Sequence, residues 1–158
     1  MNVPGWLLWG FVATLLLTTI MAGSQGAGLT RVSLPYLLGT MLVEGRDRAR
    51  RVGFAMHLAL GMAFSLVYVA VFQSLGAAGA WRGLGLGLAH AAFLLVGVMP
   101  MLPSLHPRMA NEQQGPTVSR QLEPPGMLAL HYGPRTPLTV IVAHALFGLV
   151  LGTFYRVG

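Results

Sequence analysis

The chain contains no cysteine, which removes disulfides, thiolate metal sites, iron–sulfur clusters and cysteine nucleophiles from consideration. Lysine is absent as well: all ten basic residues are arginine, and only four residues are acidic. Charged residues make up 9% of the chain, against about a quarter in soluble domains, and this scarcity excludes a soluble enzyme. The chemistry left available is that of histidine, oxygen and the backbone. In place of charge there are long apolar runs, with 54% hydrophobic residues over 158 positions.

Four of these runs, Pro4 to Gly23, Val52 to Phe72, Trp81 to Leu102 and Pro137 to Tyr155, approach the ~20 residues needed to cross a bilayer as a helix. Their apolarity is continuous rather than alternating, which argues against a barrel. The expected fold is therefore an all-α integral membrane protein of one domain, 1–158, with connections 24–51 and 103–136 after the first and third spans. The first span opens MNVPGWLLWG, without the basic start of a signal peptide, and is expected to be retained.

The arginines are unevenly placed. Arg31, Arg46, Arg48, Arg50, Arg51, Arg108, Arg120 and Arg135 fall in the two long connections, and only Arg82 and Arg156 fall at the other end. The positive-inside rule then puts both connections in the cytoplasm and both termini in the periplasm of a bacterial inner membrane. Trp6, Trp9, Tyr68, Trp81 and Tyr155 gather near the outer interface in this arrangement, where amphipathic rings suit the headgroup layer. The net charge of +6 is thus a topology signal with an attraction to anionic lipid, and nucleic acid is not an expected partner.

The second and fourth spans share a pattern, His-x3-Gly-x3-small-x2-Tyr, read by His57, Gly61, Ser65 and Tyr68 and again by His144, Gly148, Gly152 and Tyr155. Each set lines one stripe of its helix. The first and third spans each carry tryptophan near the start and lead into a basic connection. We therefore expect two parallel helix-loop-helix repeats related by an axis along the membrane normal. The small-residue stripes call for close helix packing, within the chain or across a homo-oligomer.

In the first connection SLPYLLGTML is apolar but too short to span, so it is expected at the interface, ahead of EGRDRARR. There Arg46, Arg48, Arg50 and Arg51 should make a lipid-facing helix start. The second connection holds Pro103, Pro107, Pro116, Pro124, Pro125 and Pro134, which forbid a long helix and favour a turn-rich cap. In that cap His106, Arg108, Glu112, Glu123, His131 and Arg135 form a cluster of no standard zinc spacing. The expectation is ion pairing within the cluster and a surface on which a partner protein docks.

The segments LHPRMANEQQGP, QLEPPG and HYGPRTPLTVIVAHALFGLVLGTFY, with TTIMAGSQG in the first span, resemble a group of small bacterial four-helix membrane proteins classed as a domain of unknown function. The resemblance covers most of the chain. It implies the four-span architecture and brings no activity, cofactor or catalytic residue.

Apart from Arg82 near a helix end, where it can snorkel, the ionisable groups inside the spans are His57, His90 and His144. Such groups are functional candidates, because burial in lipid without a partner is unfavourable. They admit three readings. As interhelical glue they would hydrogen-bond a carbonyl, Thr14, Thr18 or Ser65. As axial ligands, His57 and His144 would hold a b-type haem, with Arg50, Arg51 or Arg135 near its propionates. As a proton or metal path they would act with His90 and with Met56, Met99 and Met101 as soft ligands. The function these imply is a non-enzymatic accessory or small structural subunit that packs against itself or a larger membrane complex. The alternatives are a b-haem or quinone-associated electron-transfer protein, and a proton or metal permeation unit. No catalytic residue is assigned: Ser65 lies eight positions from His57, out of reach for a nucleophile–base pair.

Overall fold

A computed structural model describes residues 1–111 and 115–158 of the chain. It is all-helical apart from one isolated bridge, Met109 to Leu122. Four helices are long and apolar enough to cross a membrane: α1 (Val3–Gly26), α3 (Arg46–Ser74), α4 (Ala80–Leu105) and α5 (Thr136–Phe154). A short α2 (Leu34–Gly39) lies between α1 and α3, and a 3-10 turn (Met127–Tyr132) precedes α5.

The starts follow from local chemistry. Asn2 caps α1 through its side chain to the Gly5 N–H at 2.9 Å, and proline occupies an early position of α1, α2 and α5, where the missing N–H costs nothing. α3 begins at Arg46, earlier than the apolar run, so the arginines expected in the first connection form its first turns. α4 is not uniform. Phe93–Val98 is π-helical, immediately before Pro100 and Pro103, whose absent N–H groups leave carbonyls without their usual donors and let the helix widen.

Around the bundle the order is α3, α1, α5, α4, with α1 packed on both α3 and α5, and α4 packed on α5. Glycine sets the closeness of the α4–α5 contact: a side chain on Gly83 would land on the Gly148 carbonyl, and one on Gly152 on the Gly79 carbonyl. The stripe on α3 faces α1, where Gly61 lies against Thr14 and Ser65 against Gly10. Both small-residue stripes therefore pack within the chain. By contrast the backbones of α3 and α4 stay apart although a short turn joins them, and a seam runs between these two helices.

The outer surface is apolar, with Leu7, Leu8, Phe11, Val67, Val96 and Leu138 all exposed, as lipid contact requires. Tyr68 and Tyr155 do not turn their rings to the outer surface: both are buried. Tyr155 accepts a hydrogen bond from Gln73 at 2.9 Å, and Trp6 Nε1 donates to Ser65 Oγ at 2.9 Å. Their polar tips serve helix contacts instead of lipid headgroups.

The two long connections meet at one end of the bundle. The Arg31 N–H donates to the Tyr132 carbonyl at 2.7 Å, and the Thr30 and Thr136 hydroxyls are 2.7 Å apart. α2 does not lie free in an interface; it docks on α3, where Gly39 abuts the Ala49 carbonyl and Gly53 the Pro35 carbonyl.

Candidate functional site

His57 on α3, His90 on α4 and His144 on α5 line a single cavity of about 370 Å³. Apart from Thr14, its other walls are apolar, from Leu17 and Met21 on α1 through Phe64 on α3 and Phe93 and Leu94 in the π-helical stretch to Phe147 on α5. Leu34, Leu37 and Leu38 of α2 close it toward the connection end. The short apolar stretch read from sequence as interfacial is therefore the floor of this cavity.

Two of the three histidines are fixed from behind. His144, 5% exposed, donates from Nδ1 to the Val140 carbonyl of its own helix at 2.8 Å. A carbonyl only accepts, so a neutral His144 carries its proton on Nδ1 and a lone pair on Nε2. From α3, the Tyr68 hydroxyl donates to the Leu86 carbonyl of α4 at 3.2 Å and lies 3.2 Å from His90 Nδ1. With its one proton given to the carbonyl, Tyr68 accepts from His90 Nδ1–H, and the His90 lone pair also sits on Nε2.

Two buried ring nitrogens are the unusual feature. Nε2 of His57 and Nε2 of His90 are buried with no hydrogen-bond partner. Buried polar atoms left this way are few in native proteins, and each calls for a role. The hydroxyls expected to satisfy His57 are engaged elsewhere: Thr14 donates to the Gly10 carbonyl at 2.7 Å, Thr18 to the Thr14 carbonyl at 2.7 Å, and Ser65 to the Met62 carbonyl at 2.7 Å. Ring contacts complete the arrangement. His90 meets His144 edge to face at a centroid distance of 4.7 Å and lies 4.2 Å from the Phe64 ring across the seam.

Sequence reading paired His57 with His144 and set His90 nearer mid-membrane; the structure brings all three to one cavity. It also adds Tyr68, which the sequence pattern contained as a stripe position but which nothing in the sequence linked to His90, 22 positions away. Of the three methionines, Met99 lines the cavity while Met101 is exposed. Among the described residues no group of three His, Asp or Glu side chains converges as a metal site. Arg50, Arg51 and Arg135 do not line the cavity.

The cap is organised differently from its expected internal pairing. Arg108 pairs with Glu44 at 3.4 Å and donates to the Thr40 carbonyl, while Glu123 pairs with Arg31 at 3.2 Å. Both pairs thus join the second connection to the first. Glu112 lies outside the described residues. His131 donates from Nδ1 to the Pro124 carbonyl at 2.9 Å, and Arg135 is exposed at the start of α5. His106 is buried: its Nε2–H donates to the Leu37 carbonyl at 2.9 Å, and its Nδ1 accepts the Arg108 N–H at 3.1 Å. Burial lowers its pKa and Arg108 adds to that, against the Leu37 hydrogen bond. Arg46 and Arg50 line an open pocket of about 470 Å³ with Arg31, Tyr132 and Glu123. There burial, with a contribution from Glu123, pushes the Tyr132 phenol up to about 12, and its hydroxyl donates to the Glu123 carbonyl at 2.7 Å.

No protein-family model, curated protein or solved structure matches this chain. Its site is read from its own geometry.

Proposed function

We propose that the protein is a non-enzymatic subunit of the bacterial inner membrane that holds a lipid-soluble ligand between α3, α4 and α5 and packs against itself or a larger membrane complex. One observation carries this reading: three imidazoles from three helices face one apolar cavity, with two buried ring nitrogens unpartnered. Leaving a buried acceptor or donor unsatisfied costs about 1–3 kcal/mol, a cost that a bound ligand removes. The apolar walls and the membrane setting favour a lipophilic occupant.

The same reading keeps the basic end cytoplasmic and the termini periplasmic, on the strength of the arginine distribution. The two-repeat description is supported by the way each His-Gly stripe packs on the first long helix of its own half, α3 on α1 and α5 on α4.

A second reading, a bis-histidine b-type haem on His57 and His144, draws on the Nδ1–H bond from His144 to the Val140 carbonyl, because metal-ligating histidines are oriented in this way. The absence of arginine from the cavity lining counts against it, since propionates would lack their cationic partners there.

Protein purified gently from its native membrane tests both. An organic extract analysed by mass spectrometry should return a lipophile in near-stoichiometric amount, with a colourless spectrum. A sharp reduced α-band with matching iron would install the haem reading instead. A metal-free protein with an empty extract would remove the ligand-holding reading.

A further inference from the structure

The hydrogen-bond directions at the histidines say more than that a ligand binds. His144 gives its Nδ1 proton to Val140 and His90 gives its own to Tyr68, so the two nitrogens turned outward from these anchors are both acceptors. No serine, asparagine, glutamine or charged side chain lines the cavity, and its one hydroxyl, Thr14, is spent on Gly10. At His90 and His144 the site offers acceptors, while His57 brings one N–H on whichever ring nitrogen carries its proton. A ligand that satisfies both His90 and His144 must bring donors itself.

Shape adds a second constraint. Phe64, Phe93 and Phe147 stand around the histidines, which suits a flat ring held by stacking and edge contacts. Access adds a third. Leu60 on α3 and Phe93 on α4 both line the cavity, and both are partly open to the outer surface, at 42% and 55% exposure, one on each side of the seam where the two helix backbones stay apart. A lipophile can thus reach the histidines sideways from the bilayer without crossing the polar cap.

We propose that the ligand is a hydroxylated aromatic lipophile of the hydroquinone class, entering between α3 and α4 and donating its O–H groups to Nε2 of His90 and His144. This rests on the cavity being a ligand site, and it goes further by fixing the direction of the hydrogen bonds. Removing the donors should then abolish binding even when ring, tail and volume are kept, because buried acceptors are again left unpaired.

The test uses the full chain, stripped of bound lipid in detergent, and three probes: a decyl-substituted benzohydroquinone under reducing conditions, its bis-O-methyl ether, and the corresponding benzoquinone. The hydroquinone should bind at least ten-fold more tightly than the ether and the quinone. His90→Phe and His144→Phe should each erase that preference. Leu60→Trp, which narrows the lipid-side opening at an already exposed position, should weaken all three probes. Equal binding of the three probes would overturn the donor assignment while leaving a ligand-holding cavity in place. Absence of binding by any probe would overturn the assignment too, and an empty native extract alongside it would bring down the cavity reading. Because the ether and the quinone are compared on the unaltered protein, the outcome does not depend on any variant folding.

Discussion

His90 and His144 meet edge to face with ring centroids 4.7 Å apart, one imidazole from each of two helices that glycine holds in close contact. Each ring is anchored through Nδ1, one on the Tyr68 hydroxyl and the other on a carbonyl of its own helix. The pair is a preorganised acceptor surface at the centre of a hydrocarbon-like cavity.

If the unpartnered nitrogen of His57 is there for a ligand, it should weigh on the empty protein. His57→Phe, which keeps a ring of similar size and removes the orphan atom, should stabilise the ligand-free protein by about 1 kcal/mol. Reversible unfolding in mixed detergent measures this. A loss of more than 1 kcal/mol would mean that His57 makes a structural bond and that its stranded nitrogen is not a standing cost.

The α4–α5 contact should be intolerant at one glycine and indifferent at its neighbour. A side chain on Gly148 meets the Gly83 carbonyl, whereas nothing lies within 4 Å of one on Gly85. Gly148→Ala should therefore destabilise by about 1–3 kcal/mol. Gly85→Ala should be neutral or gain up to ~1 kcal/mol from helix propensity. The same unfolding assay on the two variants reads the difference.

His106 should make the stability of the cap depend on pH in a defined direction. Its pKa in the folded protein is lowered by burial, with Arg108 contributing, so at intermediate pH the unfolded chain binds the extra proton. The stabilisation is complete above the unfolded value of about 6.5 and is lost as pH falls below it toward the lowered folded value. Protonation at Nδ1 also evicts the Arg108 N–H. Protease sensitivity of the second connection should rise between neutral and mildly acid pH, and His106→Gln should flatten that rise. An unchanged profile in the variant would assign the pH dependence to other groups.

Orientation can be read with single cysteines, since the chain has none of its own. If the termini face the periplasm as proposed, an impermeant thiol reagent applied from that side should label Leu75→Cys and spare Ser119→Cys, both at exposed positions. The reverse result would invert the topology.

Much of the architecture was legible because lipid would impose one rule on every span: length and apolarity alone mark the four helices able to cross. The stripes of Gly61 and Gly148 were legible for the same reason, since small residues at helical spacing have few other uses in a membrane. Three features were not. That the helix start expected at Arg46, Arg48, Arg50 and Arg51 runs unbroken into the second span was hidden, because polarity sets those residues apart from the apolar run. The π-helical stretch depends on how Pro100 and Pro103 relax against α5 and the cap, which spacing does not reveal. The convergence of His90 on the other two histidines follows from which face of α4 the glycines Gly83 and Gly87 turn toward α5. The sequence carries those glycines but does not reveal the partner that fixes the rotation.

The central claim is that Nε2 of His90 and Nε2 of His144 are unprotonated acceptors awaiting a donor. Nitrogen-15 NMR of histidine-labelled, lipid-stripped protein tests it directly. Both residues should show Nδ1–H tautomers with bare Nε2 signals, and the decyl benzohydroquinone should move those Nε2 signals upfield while the bis-O-methyl ether leaves them in place. Nε2 signals that are already protonated in the ligand-free protein, or that ignore the hydroquinone, would contradict the account.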